Sequence, residues 1–348
     1  MTTIRFGILG SGFMGRTHAE AVRALPERAK LVAVAGGRRA AGLAQDLAIA
    51  HEPDAAALLA RDDIDAVVIT TPHHVHVAEA TQAAARGKHA LVEKPMSTSV
   101  ADCEAMIDAA QRAKTTLRMG YHQRFRANNA AARALIADGA IGRPEVFQIS
   151  MPTYAATIKA GGFGGDWAWW ALPESRGHVL NSAPHAIDLM RWFTGDDVIT
   201  VSAFCRTLLP DLKVEDTTLA LLELRGGAIA TLFSSRALPA PSFPGEDFRI
   251  RITGSAGLID LDPYGELRVS DERGWRTESK QATVGHEGAN TAFGPARMGA
   301  YVAQIASFID AIEGKPAEVG TAADGRAGVA AVAAMFDSSA QRRWVTPA

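Results

Sequence analysis

Three short segments of the sequence combine residue types that could bind a dinucleotide and move a proton. Residues 10–15 read Gly-Ser-Gly-Phe-Met-Gly after an apolar run, Glu93-Lys94-Pro95 ends a second apolar run, and His185 lies in an apolar stretch further on. A glycine turn lets backbone amides approach a pyrophosphate, an ammonium stabilises charge developing on oxygen, and an imidazole exchanges protons near neutral pH. Together these properties suit hydride transfer to or from a hydroxyl or ketone.

The glycine run lies between a predicted strand and a predicted helix, the setting in which G-x-G-x-x-G binds a dinucleotide. An ordinary glycine turn is the alternative. The adenine ribose is usually bound by an acidic residue about 20 positions further on, where this sequence has Gly36-Gly37-Arg38-Arg39. Because arginines suit a 2′-phosphate, the sequence favours NADP over NAD, the alternative being that both arginines are merely solvated.

Lys94 is the candidate for stabilising charge on the substrate oxygen. Pro95 cannot donate a ladder hydrogen bond, so it ends the strand and directs Lys94 beyond the strand's carboxyl end. Ligands of open parallel sheets bind at that end. The alternative is a solvated lysine at a strand terminus.

The N-terminal third of the chain has the rhythm of βαβ units, with short apolar runs separated by Ala-rich helical patterns. The predicted strands cover 4–9, 31–35, 66–70, 90–92 and 116–120, and the predicted helices 17–25, 39–48, 76–86 and 100–114. This pattern predicts a Rossmann-type parallel sheet over residues 1–123.

The rest of the chain, residues 124–348, is predicted to form an α+β domain with a large, mostly antiparallel open sheet. Strands are predicted at 145–150, 200–206, 217–224, 228–234, 248–253 and 257–260, and helices at 128–138, 301–313 and 322–339. Gly226-Gly227 predicts a hairpin turn. The last helices either stay in this domain or pack back on the first. The fold class is therefore α/β with a second α+β domain.

The composition points to a small-molecule partner. The chain has 348 residues, a hydrophobic fraction of 47% and a formal net charge of −2, which gives no electrostatic reason to expect nucleic acid or a membrane surface. Two distant cysteines do not make a disulfide framework. With neither a signal peptide nor a long apolar span, we expect a cytoplasmic protein.

With these motifs in place, the sequence resembles the glucose-fructose oxidoreductase and inositol dehydrogenase (Gfo/Idh/MocA) family. The resemblance rests on the glycine run, Glu93-Lys94-Pro95 and the segments 71–76 (Thr-Pro-His-His-Val-His), 120–125 (Gly-Tyr-His-Gln-Arg-Phe) and 141–144 (Ile-Gly-Arg-Pro). It implies oxidation or reduction of a sugar, cyclitol or related polyhydroxylated ring by NAD(P). The catalytic lysine and histidine of the family correspond to Lys94 and His185.

The sequence departs from the family near its catalytic histidine. Asn181 stands four residues before His185, where the family commonly has an aspartate. An amide orients by hydrogen bonds but supplies no charge, so the acid/base strength and the substrate are left open. Arg176 either neutralises an acidic substrate group or is a surface residue, and Asp188 is one helical turn beyond His185.

The candidate residues fall into two groups. The predicted cofactor-binding residues are Gly10, Gly12, Phe13, Met14, Gly15, Gly37, Arg38, Arg39, Thr71, Pro72, His73, His76, Glu93 and Lys94. The predicted substrate-binding residues, beside the catalytic Lys94 and His185, are Asn181, Asp188, Arg124, Tyr154, Trp167 and Arg176. Trp167, Trp169 and Trp170 either stack on a sugar ring or pack in a core or interface. His73, His74 and His76 lack the spacing and partners of a metal site, so no metal is expected.

The sequence thus predicts an NAD(P)-dependent dehydrogenase that forms a homodimer or homotetramer, since an open sheet face must be buried. The alternatives are a cis-dihydrodiol dehydrogenase, a glycosidase that oxidises its substrate transiently with bound NAD, and a non-catalytic NADP sensor. The last has no need of Lys94 and His185. The substrate and the physiological direction stay open.

Overall fold

The computed structural model describes residues 3–154, 171–239, 248–281 and 293–348, which belong to two compact units. The first unit comprises Met1–His122 and Ala292–Arg326, and the second comprises Gln123–Thr291 and Ala327–Ala348. The segment Ala292–Arg326, near the end of the chain, therefore lies in the same unit as the glycine run.

The helices described in the two units are numbered in chain order. They are α1 (Phe13–Arg23), α2 (Ala40–Leu47), α3 (Ala55–Leu59), α4 (His76–Ala85), α5 (Val100–Ala113), α6 (Ala127–Ala137), α7 (His178–Thr194), α8 (Pro295–Ile312) and α9 (Ala322–Gln341). None of these helices is long and apolar enough to cross a membrane.

The first unit is built on a seven-stranded, mostly parallel sheet. The order of the strands across the sheet is Gly320–Thr321, β6 (Leu117–Gly120), β5 (His89–Glu93), β4 (Ala66–Ile69), β1 (Ile4–Leu9), β2 (Ala29–Ala35) and β3 (Ala50–Glu52). All pairs are parallel except that of Gly320–Thr321 with β6. The chain proceeds from β1 to β2 on one side and returns to β4 on the other, so β1 and β4 flank the topological switch point where ligands bind.

The central strands of this sheet are buried on both faces, which explains their continuous apolar sequences. Every residue of β4, Ala-Val-Val-Ile, is buried, as is the second half of β1. Helices cover the sheet, and α1 packs along α8 through Thr17, which receives a hydrogen bond from Arg297. The carboxyl ends of β1, β4 and β5 are thereby left for the loops that carry the candidate residues.

The second unit contains an eight-stranded, mostly antiparallel sheet. Its strands are β7 (Pro144–Tyr154), β8 (Val198–Arg206), β9 (Thr217–Leu224), β10 (Ile229–Leu238), β11 (Arg249–Gly254), β12 (Leu258–Leu261), β13 (Glu266–Asp271) and β14 (Gly274–Lys280). Their order is β14-β13-β12-β11-β7-β10-β9-β8, and only β7 with β10 is parallel. The predicted fold class and the hairpin at Gly226-Gly227 are confirmed.

The two faces of this sheet differ in what they bury. Along β9 and β10 buried and exposed residues alternate, and the buried set, including Leu222, Leu224 and Leu232, packs with α7 into the main core. The opposite face leaves large apolar side chains exposed: Phe204, Leu219, Leu221, Ile229 and Trp275. This set is called the open face below.

The sequence patterns do not predict every element of the fold. The helices α3 and α7 and the strands β3, β13, β14 and Gly320–Thr321 are not among the predicted elements. β14 is exposed along almost its whole length and β3 has three residues, so neither shows the alternation of a half-buried strand. Helix α3 has five residues, too few for a helical period, although Asp54 caps it by accepting from the Ala57 amide.

Candidate active site

The glycine run forms a tight loop between β1 and α1. Gly10 has a φ of +100°, and a Cβ built on Gly15 would lie 2.0 Å from the Gly10 carbonyl oxygen, so the loop needs glycine at both positions. A Cβ built on Gly12 would approach only the Arg39 Nη2 within 4 Å among the described atoms, at 3.7 Å. Gly12 is also the N-cap of α1, and no described side chain caps its first amides. This open cradle fits a pyrophosphate.

The loop after β2 lies against this cradle. Gly36 and Gly37 both have positive φ, and a Cβ on Gly37 would come within 2.7 Å of the Ser11 Oγ. Arg38 and Arg39 follow at the start of α2, both exposed. Since Arg39 is also the neighbour of Gly12, its guanidinium lies beside the pyrophosphate cradle.

The loop after β4 is held by its own side chains. Thr71 Oγ1 donates to Glu79 Oε2 at 2.5 Å, and the buried His76 ring places Nε2 2.8 Å from the Thr71 carbonyl oxygen and Nδ1 3.1 Å from the Pro95 carbonyl oxygen. Burial lowers the pKa of His76 and raises that of Glu79 to about 7, which favours the neutral form of both groups. His76 therefore links the loop after β4 to the segment after β5.

Lys94 follows the last residue of β5, at the same edge of the sheet. The preceding carboxylate, Glu93, is buried: its Oε1 lies 2.7 Å from His18 Nε2, and its Oε2 accepts from the Lys94 amide at 3.2 Å. Lys94 itself is partly exposed. The glycine run, Thr71 and Lys94 thus follow the carboxyl ends of three adjacent parallel strands.

Arg297 of α8 is a neighbour of the glycine loop that the sequence did not reveal. Its guanidinium lies 4.5 Å from the centre of the Phe13 ring and 4.7 Å from that of Tyr301, and it is 3.9 Å from Met14 Sδ. It is buried. Arg297 is close to Phe13 and Met14 only in the folded chain, because these residues lie near opposite ends of the sequence. A single sequence carries no signal of such a contact.

In the second unit, α7 carries three predicted residues on one face. Asn181, His185 and Asp188 are spaced by four and three residues, and all three are buried. The helix contains Pro184 and ends at Gly195, whose φ of +74° is the left-handed conformation that terminates helices. The helix thus presents an amide, an imidazole and a carboxylate in line.

The start of α7 is fixed by Glu215, another residue that sequence reasoning missed. The Val179 amide donates to Glu215 Oε2 at 2.7 Å, the His178 amide donates to the Glu215 carbonyl oxygen at 2.9 Å, and Thr218 Oγ1 donates to Oε1. Burial raises the pKa of this carboxyl to about 7. The N-cap motif involves only residues next to the start of a helix. Glu215 is distant from α7 in the sequence, so this motif could not identify it.

Two predicted substrate-binding residues, Arg124 and Asp188, bind each other. The guanidinium Nε and Nη2 of Arg124 donate to Asp188 Oδ2 and Oδ1 at 2.9 and 2.6 Å, with both side chains buried. A bidentate pair of this kind fixes the geometry of both partners. Asp188 therefore joins α7 to the segment that precedes α6.

The other predicted substrate residues are less defined. Arg176 is exposed, with its guanidinium 5.4 Å from the centre of the Phe336 ring and a φ of +59°. The side chain of Tyr154 lies outside the described residues, as do Trp167, Trp169 and Trp170. Within the described ranges, no group of three or more His, Cys, Asp or Glu side chains could hold a metal ion.

Family models match both halves of the chain. Residues 4–121 match the model of an oxidoreductase family with an NAD-binding Rossmann fold (GFO_IDH_MocA), and residues 129–260 match the GFO/IDH/MocA C-terminal domain.

Individual relatives align along nearly the full length. The chain is 30% identical to an inositol 2-dehydrogenase of Rhizobium meliloti over 99% of both chains. It is similar in structure to an oxidoreductase of Agrobacterium radiobacter solved with NAD+, L-tartaric acid and magnesium (TM-score 0.84, 25% identity, 99% and 98% of the two chains). It is also similar to a putative myo-inositol dehydrogenase of Sinorhizobium meliloti (TM-score 0.78, 28% identity, 99% and 100% covered).

Proposed function

The chain belongs to the Gfo/Idh/MocA family of oxidoreductases, which act on CH–OH groups, and on that premise we propose that it is a dehydrogenase or reductase of a sugar, cyclitol or related ring. One observation carries the proposal: the pyrophosphate cradle, the Thr71 loop and Lys94 follow the carboxyl ends of the adjacent strands β1, β4 and β5. That edge is where an open parallel sheet binds its ligand. The inositol dehydrogenase relatives support a polyhydroxylated ring as substrate.

When bound, a nicotinamide dinucleotide supplies the carbon that takes a hydride from the alcohol or returns one to the ketone. The residues of the chain supply binding and charge. The cradle at Gly12 holds the pyrophosphate through the first amides of α1. Lys94 donates to the substrate oxygen and stabilises the negative charge that it gains, an effect that grows where water is excluded.

His185 moves the proton in this proposal. In oxidation the neutral imidazole accepts the hydroxyl proton, and in reduction the imidazolium returns it. Asn181, one turn earlier on α7, orients the substrate by hydrogen bonds without adding charge. Arg124 and Asp188 are proposed to shape the substrate pocket as a pair rather than as two separate ligands, because each satisfies the other.

We also propose that the adenine ribose carries a 2′-phosphate. No carboxylate stands at residues 36–39 to bind ribose hydroxyls, whereas Arg38 and Arg39 are exposed at the start of α2 and Arg39 reaches the glycine loop. Guanidinium groups at this place suit the extra phosphate of NADP. The Agrobacterium oxidoreductase was solved with NAD+, so the test below compares both cofactors.

A second copy of the chain is proposed to cover the open face. Five large apolar side chains lie exposed on this one side of the second sheet. Four of them lie on the adjacent strands β8, β9 and β10, whereas Trp275 is on β14 at the other edge. Scattered exposed apolar residues are ordinary, but a cluster on neighbouring strands marks an interaction surface. A symmetric homodimer or homotetramer buries it with one repeated contact.

The direct test measures nicotinamide absorbance while the purified protein is mixed with NAD or NADP and a panel of aldoses, inositols, glycosides and cis-diols. We expect cofactor reduction with one ring type. Lys94→Ala and His185→Ala should each lower turnover by about 10²-fold or more. Lys30→Ala, which removes an exposed lysine of β2 in the same unit, is the matched control and should leave the rate unchanged.

The outcomes separate the alternatives. Wild-type turnover in both Lys94→Ala and His185→Ala would contradict the proposed roles. Retained cofactor with cleavage of a glycoside but no net absorbance change would identify the redox-recycling glycosidase, and cofactor binding with no reaction on any substrate would identify a sensor. Turnover with cis-diols alone would identify the dihydrodiol dehydrogenase.

A further inference from the structure

Glu93 is the charged member of the Glu93-Lys94-Pro95 segment whose side chain is buried, whereas Lys94 is partly exposed. It is 5% exposed, and its two carboxylate oxygens have different partners. Oε1 lies 2.7 Å from His18 Nε2, and Oε2 accepts from the backbone amide of Lys94 at 3.2 Å. The carboxylate therefore connects a side chain of α1 to the backbone of the residue that carries the ammonium.

His18 is well placed to hold that carboxylate. The residue is fully buried, and its ring meets the Tyr301 ring edge-on, with centroids 5.6 Å apart and planes at 88°. Tyr301 in turn stacks on His122 at 4.6 Å. Because the ring is packed on several sides, its Nε2 cannot follow the carboxylate if the carboxylate moves, so the contact restricts Glu93 rather than yielding to it.

The hydrogen-bonding capacity of His18 agrees with this role. A neutral ring with its proton on Nε2 donates to Glu93 and leaves a lone pair on Nδ1, which has no hydrogen-bond partner among the described residues. A buried lone pair is cheaper to leave unmatched than a buried N–H. A charge-assisted bond from this tautomer is short and directional.

Gly120 provides the space for the carboxylate. This residue ends β6, next to β5, and a Cβ built on it would lie 3.1 Å from both Cδ and Oε1 of Glu93. A larger residue at 120 would press on the Glu93 carboxylate. The neighbouring strand is therefore shaped around the His18–Glu93 contact.

From these contacts we infer that His18 is a positioning residue: through Glu93 it fixes the backbone amide of Lys94, and so sets where the ammonium points. The inference depends on the proposed role of Lys94 in the reaction. It assigns to Glu93 an internal structural contact in place of the cofactor contact predicted from the sequence. A displacement of about 1 Å at a reacting group can cost on the order of 10²-fold in rate. Loss of the His18–Glu93 contact should therefore lower kcat measurably.

The test is a double-mutant cycle between His18 and Lys94, measured as kcat at saturating cofactor and substrate. His18→Leu removes the donor and is expected to lower kcat by roughly 10-fold or more. Cofactor Kd should stay within about twofold, because the pyrophosphate cradle is unchanged. In the Lys94→Ala background the same substitution should change kcat by less than about twofold, since the group that it positions is gone.

Two further variants separate positioning from general destabilisation. His18→Gln can place an amide N–H near the former Nε2 and should recover most of the lost kcat. His89→Gln is the matched control, since His89 begins β5 and accepts from the Thr116 amide, at the end of the strand away from Lys94. Should His18→Leu not fold, His18→Asn, whose amide is too short to reach Glu93, takes its place in the cycle.

Three results would overturn the inference or its premise. If the effects of His18→Leu and Lys94→Ala multiply, His18 does not act through Lys94. If cofactor Kd rises by about the same factor as kcat falls, the His18–Glu93 contact supports cofactor binding and does not position Lys94. Wild-type turnover in Lys94→Ala would remove the proposed function itself, and that outcome is visible before any His18 variant is made.

Discussion

Single residues around the candidate site owe their charge state to burial. The Glu79 carboxyl, which accepts from Thr71, has its pKa raised to about 7, and the His76 imidazole has its pKa lowered. Desolvation is the largest cause of both shifts, and it favours the neutral form in each case. A protonated Glu79 adds no negative charge to the loop that is proposed to face an anionic dinucleotide.

The first prediction concerns Glu79 and the pH dependence of stability. Its pKa is higher in the folded chain, about 7, than the 4.5 of an unperturbed glutamate, so the folded state holds the proton while the unfolded state releases it. Stability from this group is fully present below the lower value and declines as the pH rises towards 7, by about 3 kcal/mol in total. Glu79→Gln keeps a neutral side chain at every pH and should lack that decline.

Urea unfolding of both proteins at pH 5 and pH 8 measures the effect. Relative to wild type, Glu79→Gln should gain stability between the two pH values. Glu52→Gln, which makes the same substitution at a half-buried partner of Arg61 in the same unit, is the matched control. An equal difference between Glu79→Gln and wild type at both pH values would show that Glu79 is ionised throughout.

The second prediction concerns the arginines at the start of α2. Arg38→Ala and Arg39→Ala should weaken NADP binding more than NAD binding, because only NADP carries the 2′-phosphate that the guanidinium groups are proposed to bind. Loss of a charged hydrogen bond corresponds to about 10-fold or more in Kd. Calorimetric titration with both cofactors measures it, and an equal loss for NAD and NADP would assign the arginines to the shared pyrophosphate.

At the scale of elements, the junction of β1 and α1 makes a sharp prediction about Gly12. A Cβ at this position has room in the fold, since only Arg39 comes within 4 Å among the described atoms, but it would stand on the surface of the proposed pyrophosphate cradle. Gly12→Ala should therefore leave the melting temperature nearly unchanged and raise cofactor Kd by about 10-fold or more.

Gly42→Ala is the matched control for Gly12→Ala. Gly42 lies inside α2 with nothing within 4 Å of a built Cβ, so alanine should stabilise the helix by up to about 1 kcal/mol without changing cofactor Kd. Tight cofactor binding by Gly12→Ala would mean that the pyrophosphate lies elsewhere.

The elements also show where sequence reasoning succeeds and where it stops. Strand β1 was predicted with its observed bounds, because a buried parallel strand is a continuous apolar run closed by glycine. Lys94 was placed at a strand end by the proline that follows it. These signals are local, and each is complete within a few residues.

Contacts between distant residues gave no such signal. His18 meets Glu93, Glu215 caps α7, and Arg297 lies on Phe13, each across a separation that only the folded chain closes. Arg124 and Asp188 are both predicted from the sequence as substrate-binding residues, but the sequence does not predict that they bind each other. A charged side chain that could bind a ligand could equally bind another side chain. The sequence identified chemical groups, whereas their partners depend on tertiary packing.

At the scale of the whole molecule, the balance of charge bears on association. A formal net charge of −2 over 348 residues leaves little electrostatic repulsion between copies of the chain. The open face of the second sheet presents five exposed apolar side chains. With weak repulsion, and with the exposed apolar side chains of β8, β9 and β10 side by side, we expect a second copy of the chain to bury this part of the face.

The last prediction tests that assembly with two neighbouring leucines of β9. Leu219 and Leu221 alternate with buried residues and are 54% and 48% exposed, so glutamate at both positions leaves the core untouched while placing charge in the proposed contact. Light scattering after gel filtration should show a dimer or tetramer for wild type at micromolar concentration and a monomer for Leu219→Glu/Leu221→Glu. Leu208→Glu, at an exposed leucine outside the strands, is the matched control and should keep the wild-type mass. A monomeric wild type would contradict the proposal, because a surface that binds a second copy of the chain should do so in the purified protein. The open face would then be exposed to solvent or bind another protein.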